Sequence, residues 1–348
     1  MTISLLAVAY LLILPKQLIA KSEKVSKTYS ESYDVNADAT LKIANQFGKI
    51  NLISWDKNQV EINVEVKVES GSEEKAQKKL NQIEVIISGS NNLVKVITEL
   101  NSKSGNFKGE FSIDMDIKAP ASMVLDLSNE FGDVIMTEWD GPAELNIEFG
   151  SFTANKFTSD QVNINLEFSD GNIGLLNKAE INLEYAGKFT LDKAKELEIN
   201  AEFSDVDIES VERITVSAEY GGLDIGQANQ VDFDGEFTGF SLGKLFKRGE
   251  FSSEYGGIKI KFVSKSFDEL ILNNSFSGIK VYFEEGSAFD FELSSEFGGI
   301  SVMDGAQIRI DKEGIGEHYM KGSYGSGDNK SKVTAEAEYG EITLKLAD

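Results

Sequence analysis

The chain has 348 residues, 41% of them hydrophobic, with 58 acidic against 34 basic side chains and a net charge of −24. That surplus disfavours nucleic acid, anionic headgroups and polyanionic glycans as partners, and leaves cations, basic proteins and neutral glycans. Cysteine is absent, which excludes disulfides and thiolate metal sites, and only Pro15, Pro120 and Pro142 interrupt the chain.

Ile3 to Leu14 form an apolar run of twelve, followed by Pro15, Lys16 and a cleavage-type sequence ending at Ala20. The run is too short to cross a bilayer. It reads as a secretory signal peptide over 1–20, with the departure that no Lys or Arg precedes it. Nothing later is apolar enough to span a membrane. The mature chain is therefore expected outside the cytoplasm (periplasm, outer surface or secreted), unanchored by its own sequence. Residues 21–38 are polar and read as a flexible leader.

A first coil follows, in which Leu41, Ile43, Asn45 and Phe47 alternate inward, then Gly48, with Trp55-Asp56 eight residues past Phe47. A second coil repeats it with Leu125, Leu127, Asn129, Phe131, Gly132 and Trp139-Asp140. Two coils this alike, 84 residues apart, make the segment between them an excursion, and Asn45 and Asn129 are expected to stack as an amide ladder. The excursion, about 57–122, alternates as four strands near 60–68, 83–88, 93–100 and 111–117. A short helix at about 73–82 lies between the first two, with Ser70-Gly71-Ser72-Glu73 as a capping box and Ala76, Leu80 and Ile83 as its buried stripe. Glu73 and Glu74 in its first turn and Lys78 and Lys79 in its last suit the helix dipole.

From the second coil onward an aromatic residue followed by a small one returns at Phe131, Phe149, Phe168, Tyr185, Phe203, Tyr220, Phe237 and Tyr255, spaced 17 to 19 residues apart. It continues at Phe276, Phe297, Tyr324 and Tyr339 with gaps of 21, 21, 27 and 15. Corners lengthen around 262–270, 283–288 and 303–322, and the last insertion holds the only histidine, His318. Within each copy apolar and polar residues alternate, as Val216, Ala218 and Tyr220 do against Ser217 and Glu219, the signature of a strand with one buried face. Small residues then break the parity, and glycine there supplies the positive φ of a corner.

A unit of roughly 18 residues is too short for a propeller blade or a strand-helix repeat. The expected fold is all-β: a right-handed parallel β-solenoid with coils of about 17–21 residues and a small α+β excursion near the N-terminus. Residues 39–348 are expected to form a single solenoid domain with the strand-helix-strand cap inserted at about 57–122. About thirteen rungs at ~4.8 Å would give a rod of roughly 60 Å, with the Phe and Tyr rings as an inward, core column.

The paired motifs Leu41-to-Asp56 and Leu125-to-Asp140, with the Glu-aromatic-Gly/Ser coils after them, resemble the bacterial "putative adhesin" β-strand-repeat family. The resemblance covers about residue 35 to the end. It implies a bacterial envelope protein of adhesin type and supplies no catalytic residues.

Weighed by residue, the acids just before the aromatics stand out: Glu130, Glu148, Glu167, Glu184, Glu202, Glu219, Glu236 and Glu254, then Glu296 and Glu338. Stacked at ~4.8 Å in water, neighbouring charges repel by about 0.9 kcal/mol before screening. The row reads as a solvated face with neighbouring lysines, or as a strip with weak divalent-cation binding or one that docks on a basic partner. Trp55 and Trp139 read as caps closing coil corners, with glycan stacking as the alternative, and His318 as an exposed loop histidine. No catalytic, cofactor or metal residues are assigned, and only three arginines (Arg213, Arg248, Arg309) are available to grip an acidic polysaccharide. The expectation is a non-catalytic, exported envelope or surface binding protein of adhesin type, with a glycan or protein ligand and no cofactor. A periplasmic scaffold or envelope-signalling accessory is the second reading, and a polysaccharide-active enzyme the third.

Overall fold

The computed structural model describes residues 22–101, 110–326 and 331–347. The expected signal peptide over 1–20 lies outside the described residues.

The N-terminal region carries β1 (Glu23–Asp34), β2 (Thr40–Phe47), β3 (Ile50–Trp55), β4 (Gln59–Ser70), helix α1 (Glu73–Leu80), β5 (Ile83–Ser90), β6 (Leu93–Leu100) and β7 (Glu110–Pro120). Ser72 caps α1 by accepting from Lys75 N at 3.4 Å, so the cap begins two residues later than Ser70. Ala76 and Leu80 turn into the core, where Ile83 is also buried. β1 overturns the expected flexible leader. It pairs antiparallel with β4 from Glu23↔Ser70 to Asp34↔Gln59, packing Val25, Tyr29 and Tyr33 against the core at every fourth position. A polar strand is recruited because it satisfies a row of β4 backbone groups.

The repeats form β8 (Val124–Phe131), β9 (Val134–Trp139), β10 (Ala143–Glu148), β11 (Ser151–Phe157), β12 (Val162–Glu167), β13 (Asp170–Glu184), β14 (Phe189–Glu202) and β15 (Val206–Glu254). They pair in parallel, each one repeat from the next, so equivalent residues coincide. Leu145, Ile164, Ile181, Ile199 and Val216 stack in successive registers, each 0–1% exposed. Burying each is worth about 1.5–3 kcal/mol, and one repeated choice of residue fills a whole row of core. The first coil joins this stack directly, β2 on β8 and β3 on β9. On their other sides β6 pairs with β2 and β7 with β3. Asn45 Nδ2 donates to Asn129 Oδ1 at 3.1 Å, the amide ladder that their alignment demanded.

Beyond β15 come β16 (Ile258–Val263), β17 (Glu269–Ser275), β18 (Ile279–Phe283), β19 (Phe289–Glu296), β20 (Ile300–Ser301), β21 (Gln307–Glu313), β22 (Glu317–Tyr324), β23 (Ser331–Glu338) and β24 (Ile342–Leu346). Here chain order and spatial order part. β23 lies between β17 and β19, parallel to both, and β24 between β18 and β20. The last repeat is thus inserted between the two before it.

The right-handed parallel β-solenoid expected from the period is overturned by these pairings. The strands make a mixed sheet, parallel between repeats but antiparallel at β1–β4, β4–β7, β5–β6, β19–β22 and β21–β22. The physical cause lies in the non-repeating segments. Where no further repeat exists to pair with, the chain reverses on itself to satisfy the backbone groups of the last strand.

Candidate functional site

The aromatic corners depart most from their sequence reading. Alternation alone would turn Tyr220 inward with Val216. Instead the backbone at ten of these residues, Phe149 through Phe297 and Tyr339, enters the left-handed region at φ between 48° and 64°. That rotation swings the ring outward, so the expected core column is an exposed stripe: Phe149 is 46% exposed, Tyr220 41% and Phe297 63%. In the first two coils the positive φ falls on Gly48 and Gly132, and the ring follows the corner. In the later coils the small residue after the aromatic has a different task from the one expected. A Cβ on Gly150 would sit 2.1 Å from the Gly132 carbonyl oxygen, so it lets neighbouring rungs approach.

The rings stack without a break. In spatial order they run Phe47, Phe131, Phe149, Phe168, Tyr185, Phe203, Tyr220, Phe237, Tyr255, Phe276, Tyr339, Phe297, with centroids 4.6–5.2 Å apart and planes within 16°. Tyr324 is not in the column and packs on Phe289 instead. Inserting Tyr339 between Phe276 and Phe297 completes a strict Phe/Tyr alternation from Phe168 to the end of the stack. Because each ring's faces are covered by its neighbours, solvent meets ring edges and, at every second rung from Phe168 onward, a tyrosine.

Energetics separate this stripe from the core. A left-handed backbone at an L-residue costs about 1–2 kcal/mol, and each stacked contact returns about 0.5–1.5 kcal/mol. An interior ring such as Phe203 makes two such contacts, which more than offset the strain. Phe203→Asn, which tolerates the left-handed corner, is therefore expected to lower the unfolding free energy by about 1–2 kcal/mol. Phe251→Ala in the core (0% exposed) should cost about 3–5 kcal/mol. Urea titration of both variants checks this, and a Phe203→Asn loss as large as that of Phe251→Ala would return the stripe to a core role.

Beside the stripe runs the glutamate row. Registers place Glu148, Glu167, Glu184, Glu202 and Glu219 opposite one another in turn. They are half-buried or exposed and have no ion-pair partner among the described residues. Glu167 to Glu219, with Glu236, line a groove of about 570 Å³ whose floor carries a second amide ladder. Asn165 donates to Asn146 at 2.8 Å, Asn182 to Asn165 at 2.9 Å and Asn200 to Asn182 at 2.9 Å. Sequence reading missed this ladder, although Asn recurs two residues before the glutamate in all four repeats. Among the described residues no three acidic or histidine side chains converge to hold a metal ion.

The basic residues gather elsewhere. Glu196 accepts from Arg213 Nη2 at 2.6 Å and pairs with Lys178 at 2.6 Å, in a separate groove that Arg248 also lines. The Arg213 guanidinium, then the Lys178 ammonium, hold the Glu196 carboxyl at about 2 against an ordinary 4.5. A carboxylate whose folded value is depressed stabilises the fold above its ordinary value and loses that contribution as pH falls. The melting temperature of the parent chain should therefore drop more steeply between pH 4.5 and 2 than that of Glu196→Gln. Parallel slopes in thermal scans would remove the network from the acid response.

Trp139 is fully buried and donates Nε1 to Met123 O at 2.9 Å, so it closes a corner as a core residue. Trp55 is half-buried, bonds Gln59 O at 2.7 Å, and carries Lys57 Nζ 4.5 Å from its ring centroid. His318 is not in a loop: it lies on β22, 13% exposed, with Nε2 3.0 Å from Asp311 on β21. The lengthened corner around 303–322 is this β21–β22 hairpin.

No family model matches the chain, and no curated protein matches it. Solved structures similar to it include a "putative cell adhesion protein" from Clostridium sporogenes, at 14% identity over 94% of this chain and 100% of that one, TM-score 0.20. A "putative adhesin" from Bacteroides fragilis matches at 11% over 91% and 97%, TM-score 0.31. A "putative lipid binding protein" from Parabacteroides distasonis matches at 10% over 91% and 96%, TM-score 0.30. The first two descriptions agree with the family that the paired coil motifs resemble. At these identities and TM-scores the likeness carries no argument about what the chain binds.

Proposed function

We propose that the chain is an exported, non-catalytic binding protein of adhesin type, with the aromatic stripe as its contact surface. The observation that carries this is the continuous column of twelve rings, eleven of them 36–63% exposed. Contiguous apolar surface of this kind on a soluble protein marks a place where something binds. The backbone supports it too, because ten of these rings are held outward by a left-handed conformation that an L-residue adopts only at a cost. The non-catalytic reading is supported by the chemistry beside the stripe, which is ring edges, phenol hydroxyls, amides and carboxylates. The one histidine bonds an aspartate on the β21–β22 hairpin, whose Gly316 packs against Phe297 at the end of the stripe. Export rests on the apolar run Ile3 to Leu14.

Protease treatment of intact cells carrying a tagged copy, with a periplasmic marker as control, tests the location. Digestion without lysis is the expected result. Protection until the outer membrane is opened would replace the surface adhesin with a periplasmic scaffold.

A further inference from the structure

What the stripe offers is narrower than a general apolar surface. Ring faces are where a sugar or a point cation would stack, and here each face is covered by the next ring at 4.6–5.2 Å. Ring edges remain, and they carry the positive rim of the aromatic quadrupole, which seeks the π-face of another flat ring. A ligand using many edges at once must therefore be flat, aromatic and long in the direction of the stack.

Its charge is set by the neighbouring row. Glu148, Glu167, Glu184, Glu202 and Glu219 follow the stripe rung for rung without an ion-pair partner among the described residues. A second copy of this chain, at a net charge of −24, would bring its own acidic row against them. A cationic occupant relieves the repulsion along the row. We infer that the Phe/Tyr edge stripe and its glutamate row bind flat, elongated aromatic cations lying along the stack. The inference rests on the reading that the stripe is the contact surface, and it names the ligand class that surface selects.

The first test is titration of the purified full chain with thioflavin T, a planar cationic aromatic dye, read by its fluorescence. Saturable binding is expected. The triple variant Glu184→Gln, Glu202→Gln, Glu219→Gln keeps side-chain shape and should bind about tenfold more weakly, as should the parent chain on moving from low to high salt. Phe203→Asn with Tyr220→Asn interrupts the edge stripe and should lower affinity at least as much. Absence of saturable binding would overturn the inference. So would undiminished affinity in the glutamine variant, equal binding of an anionic flat dye such as anilinonaphthalene sulfonate, or displacement of the dye at lower concentration by a lysine-rich peptide lacking aromatics. Because the titration uses purified protein, dye binding is decided independently of the protease result in cells. The ligand class and the surface location can therefore fail separately.

Discussion

A chain ending before Ser331 is expected to lose the packing of everything beyond β18, although the cut removes only the last repeat. Were the repeats stacked in chain order, such a cut would take off an end rung and leave the others paired. Here β23 supplies a seven-residue ladder to β17 and an eight-residue ladder to β19, so its loss opens an interior gap. Val333, Ile342 and Leu344 are each fully buried, and at about 1.5–3 kcal/mol apiece their removal alone costs roughly 5–9 kcal/mol. That is comparable to the whole stability of an ordinary domain, about 5–15 kcal/mol. The exposed faces of Leu272, Val281 and Leu293 would then face water. Limited proteolysis should cut the truncated chain throughout 284–326 at protease levels that leave the parent intact. Urea unfolding should show a lower midpoint or a split transition. Unchanged protection in that segment would mean β19 can pair with β17 directly, and the interleaved order would be dispensable.

The second large effect separates two tryptophans that the sequence presents as twins. Trp139→Ala is expected to destabilise by about 3–5 kcal/mol, since the ring is fully buried. It also removes the Nε1 donor from Met123 O, leaving a buried acceptor open. Phe157 sits on the neighbouring rung in register with Trp139 and would lose its packing partner. Trp55→Ala should cost less than about 2 kcal/mol, because that ring is half-buried and the ammonium groups of Lys57 and Lys118 lie over it. Chemical denaturation with the slope monitored for each variant decides the order. Equal losses would show that the corner at Trp55 is as closed as the one at Trp139.

Much of the architecture was legible because a repeat is a strong constraint. Because Leu125 to Asp140 copies Leu41 to Asp56, the alignment of Asn45 with Asn129 follows from the sequence. The alternation within each copy likewise located the buried rows, such as Leu145, Ile164 and Ile181, since burial by alternate residues needs only a strand with one dry face. The candidate site was half legible. Its residues were visible as Glu followed by Phe or Tyr, but their orientation was not.

Orientation depended on a single dihedral angle. A glycine beside the aromatic invited the positive φ, yet in ten corners it falls on the aromatic, where stacking with the rungs above and below offsets the strain. No sequence within one repeat carries that contribution, because it comes from other repeats. The same holds for Tyr324 and Tyr339. Local pattern treats both as corners, but only Tyr339 finds a gap between two rings, and the 27- and 15-residue spacings were the sole hint that the chain doubles back. Sequence alone determined the strand content, the rung length, the buried rows and the strong negative charge, all properties of a repeat taken one at a time. Tertiary structure alone decided which way the rings face, which rung lies next to which, and where the sheet turns antiparallel, because each depends on free energy shared between segments distant in the chain.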